Sequence, residues 1–219
     1  MNESIGNTFG EFLRSFLRHD PEIIMIGEIR DDDTAEMAFR AAQTGHLVLS
    51  TLHTNDAVSA AMRLMDIGVE PNLITSALLG VLSQRLVREI CASCREPYDP
   101  PAELLKELFD VPPTKLPWYH GRGCNRCNFT GYLGRLPVAE LWTPGDADFL
   151  LITKRASLGE LREVAKASTV SMAQDVSEKL IEGRTTIEEL VRTLPYSSLH
   201  EIRQLGCFHG LGEDLTGLL

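Results

Sequence analysis

Apolar and polar positions along the chain follow two rhythms, and the switch between them marks its elements. Ile23-Ile24-Met25-Ile26 is a short, wholly apolar, mostly β-branched run. That pattern predicts a strand buried on both faces of a parallel sheet. Ala35, Ala38, Phe39 and Ala42 then recur at helical spacing, with Asp32 or Asp33 placed to cap the helix and Gly45 to stop it. Leu47-Val48-Leu49 is a second strand. Asn55-Asp56 precedes another helical stripe, Val58, Ala61, Leu64 and Met65, closed by Gly68. Pro71 opens a further helix whose apolar face is expected to run through Leu73, Ile74, Ala77, Leu78, Val81 and Leu82. Upstream, Thr8-Phe9-Gly10-Glu11 is a capping box, followed by Phe9, Phe12, Leu13, Phe16 and Leu17 at helical spacing until Asp20-Pro21.

Beyond Cys94 the stretch up to Cys124 is rich in proline and carries one short helix candidate, Ala102 to Phe109. Leu136 to Trp142 reads as a strand, and the rest as helices. Ser157 to Glu160 is a capping box before Leu158, Leu161, Val164 and Ala165. Val176, Leu180 and Ile181 belong to a second helix closed by Gly183, and Thr186 caps a third with Ile187, Leu190 and Val191 inside. From Pro195 onward glycines and weak periodicity predict a loose tail, with Cys207 an unpaired thiol.

The strand, helix, strand order of Glu22 to Asp56 directs attention to strand ends. In open parallel α/β sheets, ligands bind outside the carboxyl ends of the strands. Glu28 closes the first strand and His53 leaves the end of the second, so both are candidates for one crevice. A carboxylate there can hold the water shell of Mg²⁺ and orient an attacking water; it can equally be a charged strand end paired with Arg30. His53 can donate to a phosphate through its imidazole, whereas His46, at the start of its strand, fits a structural role as well. Arg14 and Arg18 are four apart and share one helix face, as two solvated cations or as a pair aimed at phosphate or a neighbouring subunit.

Composition narrows the classes. The 219 residues are 43% hydrophobic, enough for a sizeable core and more than one packing unit. A net charge of −10 argues against general affinity for nucleic acid or anionic membrane. Met1 to Phe12 has neither the basic start nor the apolar core of an export signal, and no apolar run approaches the ~20 residues of a membrane span. A soluble, cytoplasmic chain is therefore expected. In that setting Cys91, Cys94, Cys124 and Cys127, two CxxC pairs among five cysteines, point to a tetrahedral Zn²⁺ site. Four thiolates leave no open position, so the zinc would be structural. A nucleic-acid zinc ribbon is the alternative, weakened by Glu96, Asp99, Glu103, Glu107 and Asp110 nearby.

Leu17 to Asp31, LRHDPEIIMIGEIRD, closely resembles a signature of the type II secretion protein E and type IV pilus assembly ATPases, and Thr44 to Asp56, TGHLVLSTLHTND, resembles that family's histidine box. Gln84 to Arg88 and the turn Gly131 to Arg135 are also similar to family segments, and Glu22 stands where the family more often has Asp. No GxxxxGK[ST] phosphate loop occurs. The resemblance spans residues 5 to about 193 and implies a fragment of a RecA-like P-loop NTPase core, the C-terminal half of a motor ATPase. On it, residues 1–90 carry the Walker B and histidine-box half of the core and 91–134 the tetracysteine module. Residues 135–195 are the returning strand and C-terminal helices, and 196–219 the tail. Glu28 becomes the catalytic carboxylate, His53 and His46 nucleotide-sensing residues, and Arg14 and Arg18 phosphate or interface contacts. Intact relatives use ATP and Mg²⁺. They form homo-hexamers at the inner-membrane face of the secretion or pilus platform and drive protein secretion or pilus extension. The tetracysteine insertion resembles that of the secretion and pilus-extension branch. Lacking a phosphate loop, this chain by itself is expected to be inactive. A non-catalytic zinc-containing interaction module remains the alternative.

Overall fold

The computed structural model describes residue 19 and residues 21–109 and 117–205. The described residues form two compact units, one reaching Val81 and taking in Trp142–Thr169, the other built from Leu82–Leu141 and the chain from Val170 on.

In the first unit β1 (Ile23–Ile26) and β2 (Leu47–Ser50) pair in parallel, Ile23 beside Leu47 and Ile26 beside Ser50. The crossover between them is α1 (Asp32–Gln43). Its cap is Asp31, one residue earlier than the pattern suggested: the Asp31 carboxylate accepts the Thr34 N–H at 2.8 Å. Asp32 and Asp33 instead occupy the first turn, where carboxylates suit the helix dipole. Ala35, Ala38, Phe39 and Ala41 of α1 pack with Ile24 and Ile26 in the core of this unit. The other face of β1 is not buried. Ile23 is 60% and Met25 76% exposed, and Leu47 and Leu49 of β2 are exposed beside them. The run is apolar on both faces, but the core covers only the side on which α1 lies.

Helix α2 (Ser59–Ile67) follows, with the Asp56 carboxylate accepting the Ser59 N–H at 2.7 Å and Gly68 as its C-cap. Helix α3 (Pro71–Ala77) is shorter than its apolar pattern implied. Val81 and Leu82 belong to the strand β3 (Val81–Ile90), in which Ser83, Val87 and Ile90 are buried while Leu82 and Leu86 are exposed. The helix has ended at Ala77, where Leu78 turns the backbone to an extended conformation. Two further helices, α5 (Asp146–Thr153) and α6 (Leu158–Ala165), complete this unit's core through Ile152, Leu161 and Ala165. Ser157 and Glu160 form the expected reciprocal cap, at 3.3 and 2.9 Å.

The second unit holds most of β3 and of its sheet neighbour β6 (Tyr132–Trp142), the small antiparallel pair β4 (Arg95–Pro97) and β5 (Tyr119–Gly121), and α4 (Ala102–Leu108). Strand β7 (Thr169–Val170) leads into α7 (Met172–Ile181) and α8 (Ile187–Thr193). Residues read as the start of a tail form α9 (Tyr196–Leu205), whose Ile202 is buried in the same core as Val176, Leu180 and Leu108. Four-residue spacing of Ser198 and Ile202 on the buried side is too sparse a signal to stand out in the sequence. Cys207 lies outside the described residues.

At the centre of this unit is a carboxylate with no solvent exposure. Glu189 accepts the Arg88 backbone N–H at 2.9 Å and the Arg88 Nε at 2.7 Å, and Arg192 approaches it at 2.6 Å. Arg88 in turn lies over the Tyr132 ring, 4.0 Å from its centre. Burial opposes the charge, but Arg192 and Arg88 outweigh it and bring the Glu189 carboxyl down to about 2. Its stabilising effect is therefore complete above the ordinary glutamate range and is lost as pH falls from about 4.5 toward 2. Glu189→Gln should lower stability by about 3 kcal/mol at pH 7, because it leaves Arg88 without its buried partner. The gap between variant and wild type should narrow below about pH 4.5. Urea denaturation of both proteins at pH 7 and pH 4 measures it.

Candidate functional site

Parallel pairing places the carboxyl ends of β1 and β2 side by side. Glu28 follows β1 by two residues and His53 follows β2 by three. Two hydrogen bonds hold these exits together: the Ile29 N–H donates to the Thr51 carbonyl at 3.1 Å, and the Thr51 hydroxyl to the Gly27 carbonyl at 2.7 Å. Thr51 thus supports the carboxylate's loop rather than the imidazole. The His53 Nε2 stands 3.3 Å from Glu28 Oε2, and Arg30 Nε bonds the same oxygen at 2.7 Å. The side chains stay open to solvent, Glu28 at 34% and His53 at 85%. The Arg30 guanidinium holds the Glu28 carboxyl below the usual range against some desolvation, and His53 adds a smaller pull. An ionised carboxylate and an imidazole therefore face solvent together on one rim.

Asp56 closes the loop after His53. Its carboxylate is bound by the Arg162 guanidinium from α6 as well as by Ser59. Arg162 is far from the histidine box in sequence, and no local pattern marks it. His46 sits at the other end of β2. Its Nδ1 is 2.9 Å from the Ala41 carbonyl and 3.1 Å from the Thr44 hydroxyl, which ties it to the end of α1. The structure brings Glu28 and His53 together and leaves His46 apart. Arg14 and Arg18 lie outside the described residues.

In the second unit Cys91, Cys94, Cys124 and Cys127 converge, all four sulfurs within 4.8 Å of one another. Cys91–Cys124 is 3.9 Å, Cys94–Cys127 3.8 Å and Cys124–Cys127 3.8 Å. A tetrahedron with metal–sulfur bonds of ~2.3 Å has edges of ~3.8 Å, so this donor set fits one Zn²⁺-sized ion. A disulfide needs sulfurs about 2 Å apart. Each pair closes a turn, Cys94 N–H to Cys91 carbonyl at 3.1 Å and Cys127 N–H to Cys124 carbonyl at 3.2 Å. Burial pushes the Cys94 thiol up; burial acts the same way on Cys127, but backbone N–H groups such as that of Cys124 bring it down overall. Gly121 and Gly131 let the flanking strands touch, since a Cβ on Gly121 would lie 2.1 Å from the Gly131 oxygen.

Residues 1–192 match the family model described as type II/IV secretion system protein. The chain belongs to this family. Among relatives of this secretion-system protein, the type II secretion system protein E of Pseudomonas aeruginosa is 46% identical over 193 residues, 88% of this chain and 38% of its own length. The type II secretion system ATPase E of Vibrio cholerae matches with the same figures. The type IV pilus assembly ATPase PilB of Thermus thermophilus is 46% identical over 200 residues, 89% of this chain and 22% of its own. The chain thus spans less than two fifths of the length of these relatives. Among solved structures, the pilus retraction motor PilT with bound ADP aligns with a TM-score of 0.55 at 26% identity, over 90% of this chain and 43% of that one. The ATPase DotB of Legionella pneumophila aligns at 0.56 and 19% identity, over 85% and 42%, which shows the fold alone. The mixed α/β architecture is accordingly that of the RecA-like secretion ATPases.

Arg30 should control the ionisation of the family member's rim carboxylate. Arg30→Ala should raise the Glu28 titration midpoint, and His53→Ala should raise it less. Carbon-detected NMR titration of the Glu28 carboxyl gives both midpoints.

Proposed function

We propose that this chain supplies the Glu28 and His53 half of the catalytic core of an ATP-driven motor for protein secretion or type IV pilus extension. The observation that carries the reading is the 3.3 Å approach of Glu28 and His53 at the ends of two parallel strands. On this reading ATP with Mg²⁺ would supply the phosphoryl group and the charge to be sensed. Glu28 stays ionised, which suits a fixed acceptor that orients water better than a strong proton acceptor. It would exchange its bond to Arg30 for metal-bound water. His53 would donate through Nε2 to the terminal phosphate, and its contact with Glu28 would make loss of that phosphate felt at the carboxylate. Thr51 keeps the two strand exits in register, and the Asp56–Arg162 pair holds the loop beyond His53. His46 would act on this site only through the α1–β2 turn. Arg14 and Arg18 are assigned to phosphate or to a neighbouring subunit, in a homo-hexameric ring. None of the helices among the described residues is long and apolar enough to cross a membrane. We infer that attachment to the inner membrane runs through platform proteins.

These 219 residues contain no phosphate loop, so no lysine and no Gly-rich amide cradle is available for the β- and γ-phosphates. The chain alone should release phosphate from Mg-ATP at the background rate. Mixed with the part of the Vibrio cholerae relative that this chain does not match, it should gain hydrolysis, and Glu28→Gln should remove at least ~100-fold of that gain. Phosphate release measures both. Turnover on the order of 1 s⁻¹ by the chain alone would refute the inactive state, and a gain indifferent to Glu28→Gln would refute its role.

The four cysteines would hold one structural Zn²⁺, with every position filled by thiolate and none left for chemistry. Metal analysis of purified protein should find about one zinc per chain, and Cys127→Ser should lose it. Protein without metal, or with disulfides in its place, would overturn this assignment.

A further inference from the structure

A sealed structural cysteine is inert, whereas a thiolate that solvent can reach is a nucleophile. The four converging cysteines divide on this point. Cys91 is 1% exposed and Cys94 and Cys127 are 4% each, but Cys124 is only half-buried. The chain around Cys124 explains the opening. Gly123 before it has no side chain with which to cover it, and Asn125 and Arg126 after it are exposed.

The same turn brings a second sulfur within reach. Cys124 Sγ and Cys127 Sγ are 3.8 Å apart, and the Cys127 N–H bonds the Cys124 carbonyl at 3.2 Å. A turn closed in this way keeps its ends within ~7 Å, Cα to Cα, which is about the span a disulfide can bridge. The Cys124 N–H also bonds Cys127 Sγ, at 3.2 Å, and holds that sulfur toward the Cys124 backbone. Cys91 Sγ is almost as near, at 3.9 Å, but it belongs to the other turn, so bridging it would have to shift two separate chain segments.

We propose that Cys124 is a modification site, the point at which a peroxide enters the cysteine cluster and closes a disulfide between Cys124 and Cys127. The proposal rests on the zinc assignment above, because a thiol that coordinates Zn²⁺ is deprotonated outright and all four sulfurs are then thiolates. It is independent of the motor reading.

The Cys124 thiolate attacks one oxygen of the peroxide, the O–O bond breaks, and hydroxide leaves. Sulfur is oxidised by two electrons to the sulfenic acid, and the peroxide is reduced. The Cys127 thiolate then attacks the Cys124 sulfur: the S–S bond forms, the S–O bond breaks, and a second hydroxide leaves. The net change is two thiolates, one hydrogen peroxide and two protons from solvent giving one disulfide and two waters. Cys91 and Cys94 are left as the remaining sulfur donors, too few for a four-coordinate site, and the metal is released. The backbone bonds of the turn, Phe129 N–H to the Cys124 carbonyl at 2.9 Å and Thr130 N–H to the Cys127 carbonyl at 3.1 Å, involve no sulfur. A thiol reductant can therefore restore the donor set.

The test uses the full chain, purified with reductant, freed of it and analysed for metal. Trypsin separates the sulfurs: Cys124 falls on residues 123–126, Cys127 on 127–135, and Cys91 and Cys94 together on 89–95. Brief treatment of the zinc-loaded protein with N-ethylmaleimide should label Cys124 on the order of tenfold faster than the other three. With hydrogen peroxide, zinc release to a colorimetric chelator should keep pace with a bridge joining 123–126 to 127–135, while 89–95 stays open to alkylation. Dithiothreitol with added zinc should reverse both changes. Purified protein that carries no zinc before oxidation would overturn the zinc assignment. Zinc-loaded protein that is labelled first at Cys91, Cys94 or Cys127, that bridges Cys91 to Cys124, or that keeps its metal in excess peroxide would overturn the modification site and leave that assignment standing.

Discussion

The parallel ladder between β1 and β2 decides which side chains meet at the ends of the strands. Parallel pairing puts both carboxyl ends at one edge. Antiparallel pairing of the same strands would send Glu28 and His53 to opposite edges. The ladder is only four residues long on each strand, and its outer face is exposed. Its geometry therefore depends on the helical crossover. The packing of Ile24 and Ile26 against the alanines of α1 fixes the inner face, and Thr51 with Ile29 locks the exits. A one-residue slip would turn Ile24 and Ile26 outward, so burial of one face specifies the register and with it the 3.3 Å approach of the two polar groups.

The parts of this arrangement that were legible in the sequence are those governed by local rules. The strand, helix, strand order, the caps at Ser157 and Thr186, and the stops at Gly68 and Gly183 depend on residues within a few positions of one another. The four cysteines were legible because their spacing expresses a coordination requirement. What was hidden depends on distant partners. Val81 and Leu82 extend a helical stripe by spacing, yet β3 takes them because β6 offers a ladder far along the chain. Arg162 reaches Asp56 from a helix 106 residues away, and no pattern around either residue announces it. Ile23 to Ile26 carries no alternation, so periodicity could not say that one face would stay exposed. Asp31, Asp32 and Asp33 are equivalent as cap candidates until the backbone turns at Asp31.

The second unit secures its geometry by a different means. Its small strands β4 and β5 pair only with each other, and four thiols converge in the same unit. The module is tied to the helices by close polar contacts. Tyr98 donates to Glu188 at 2.9 Å, Tyr132 and Thr186 share a hydrogen bond at 2.8 Å, and the Ile90 N–H reaches the Arg184 carbonyl at 2.8 Å. Gly183 takes φ +65°, and a Cβ there would meet the Tyr119 ring at 2.3 Å. Only glycine lets the end of α7 approach this closely, so the hairpin and the turn before α8 constrain each other.

Glu28 and Glu189 show how one side chain serves opposite ends in the two units. Both are held ionised by arginine. Glu189 has no exposure and gathers donors from Arg88, Arg192 and the Arg88 backbone, so any exchange of partner would strand a buried charge. It is fixed by the cost of leaving. Glu28 is part exposed and faces an arginine that is itself 73% exposed, in water that screens the pair. Its present bond is therefore weak and open to exchange with water. Burial, not the pairing itself, separates the two: the same arginine–carboxylate contact is exchangeable at the strand rim and locked where water is excluded.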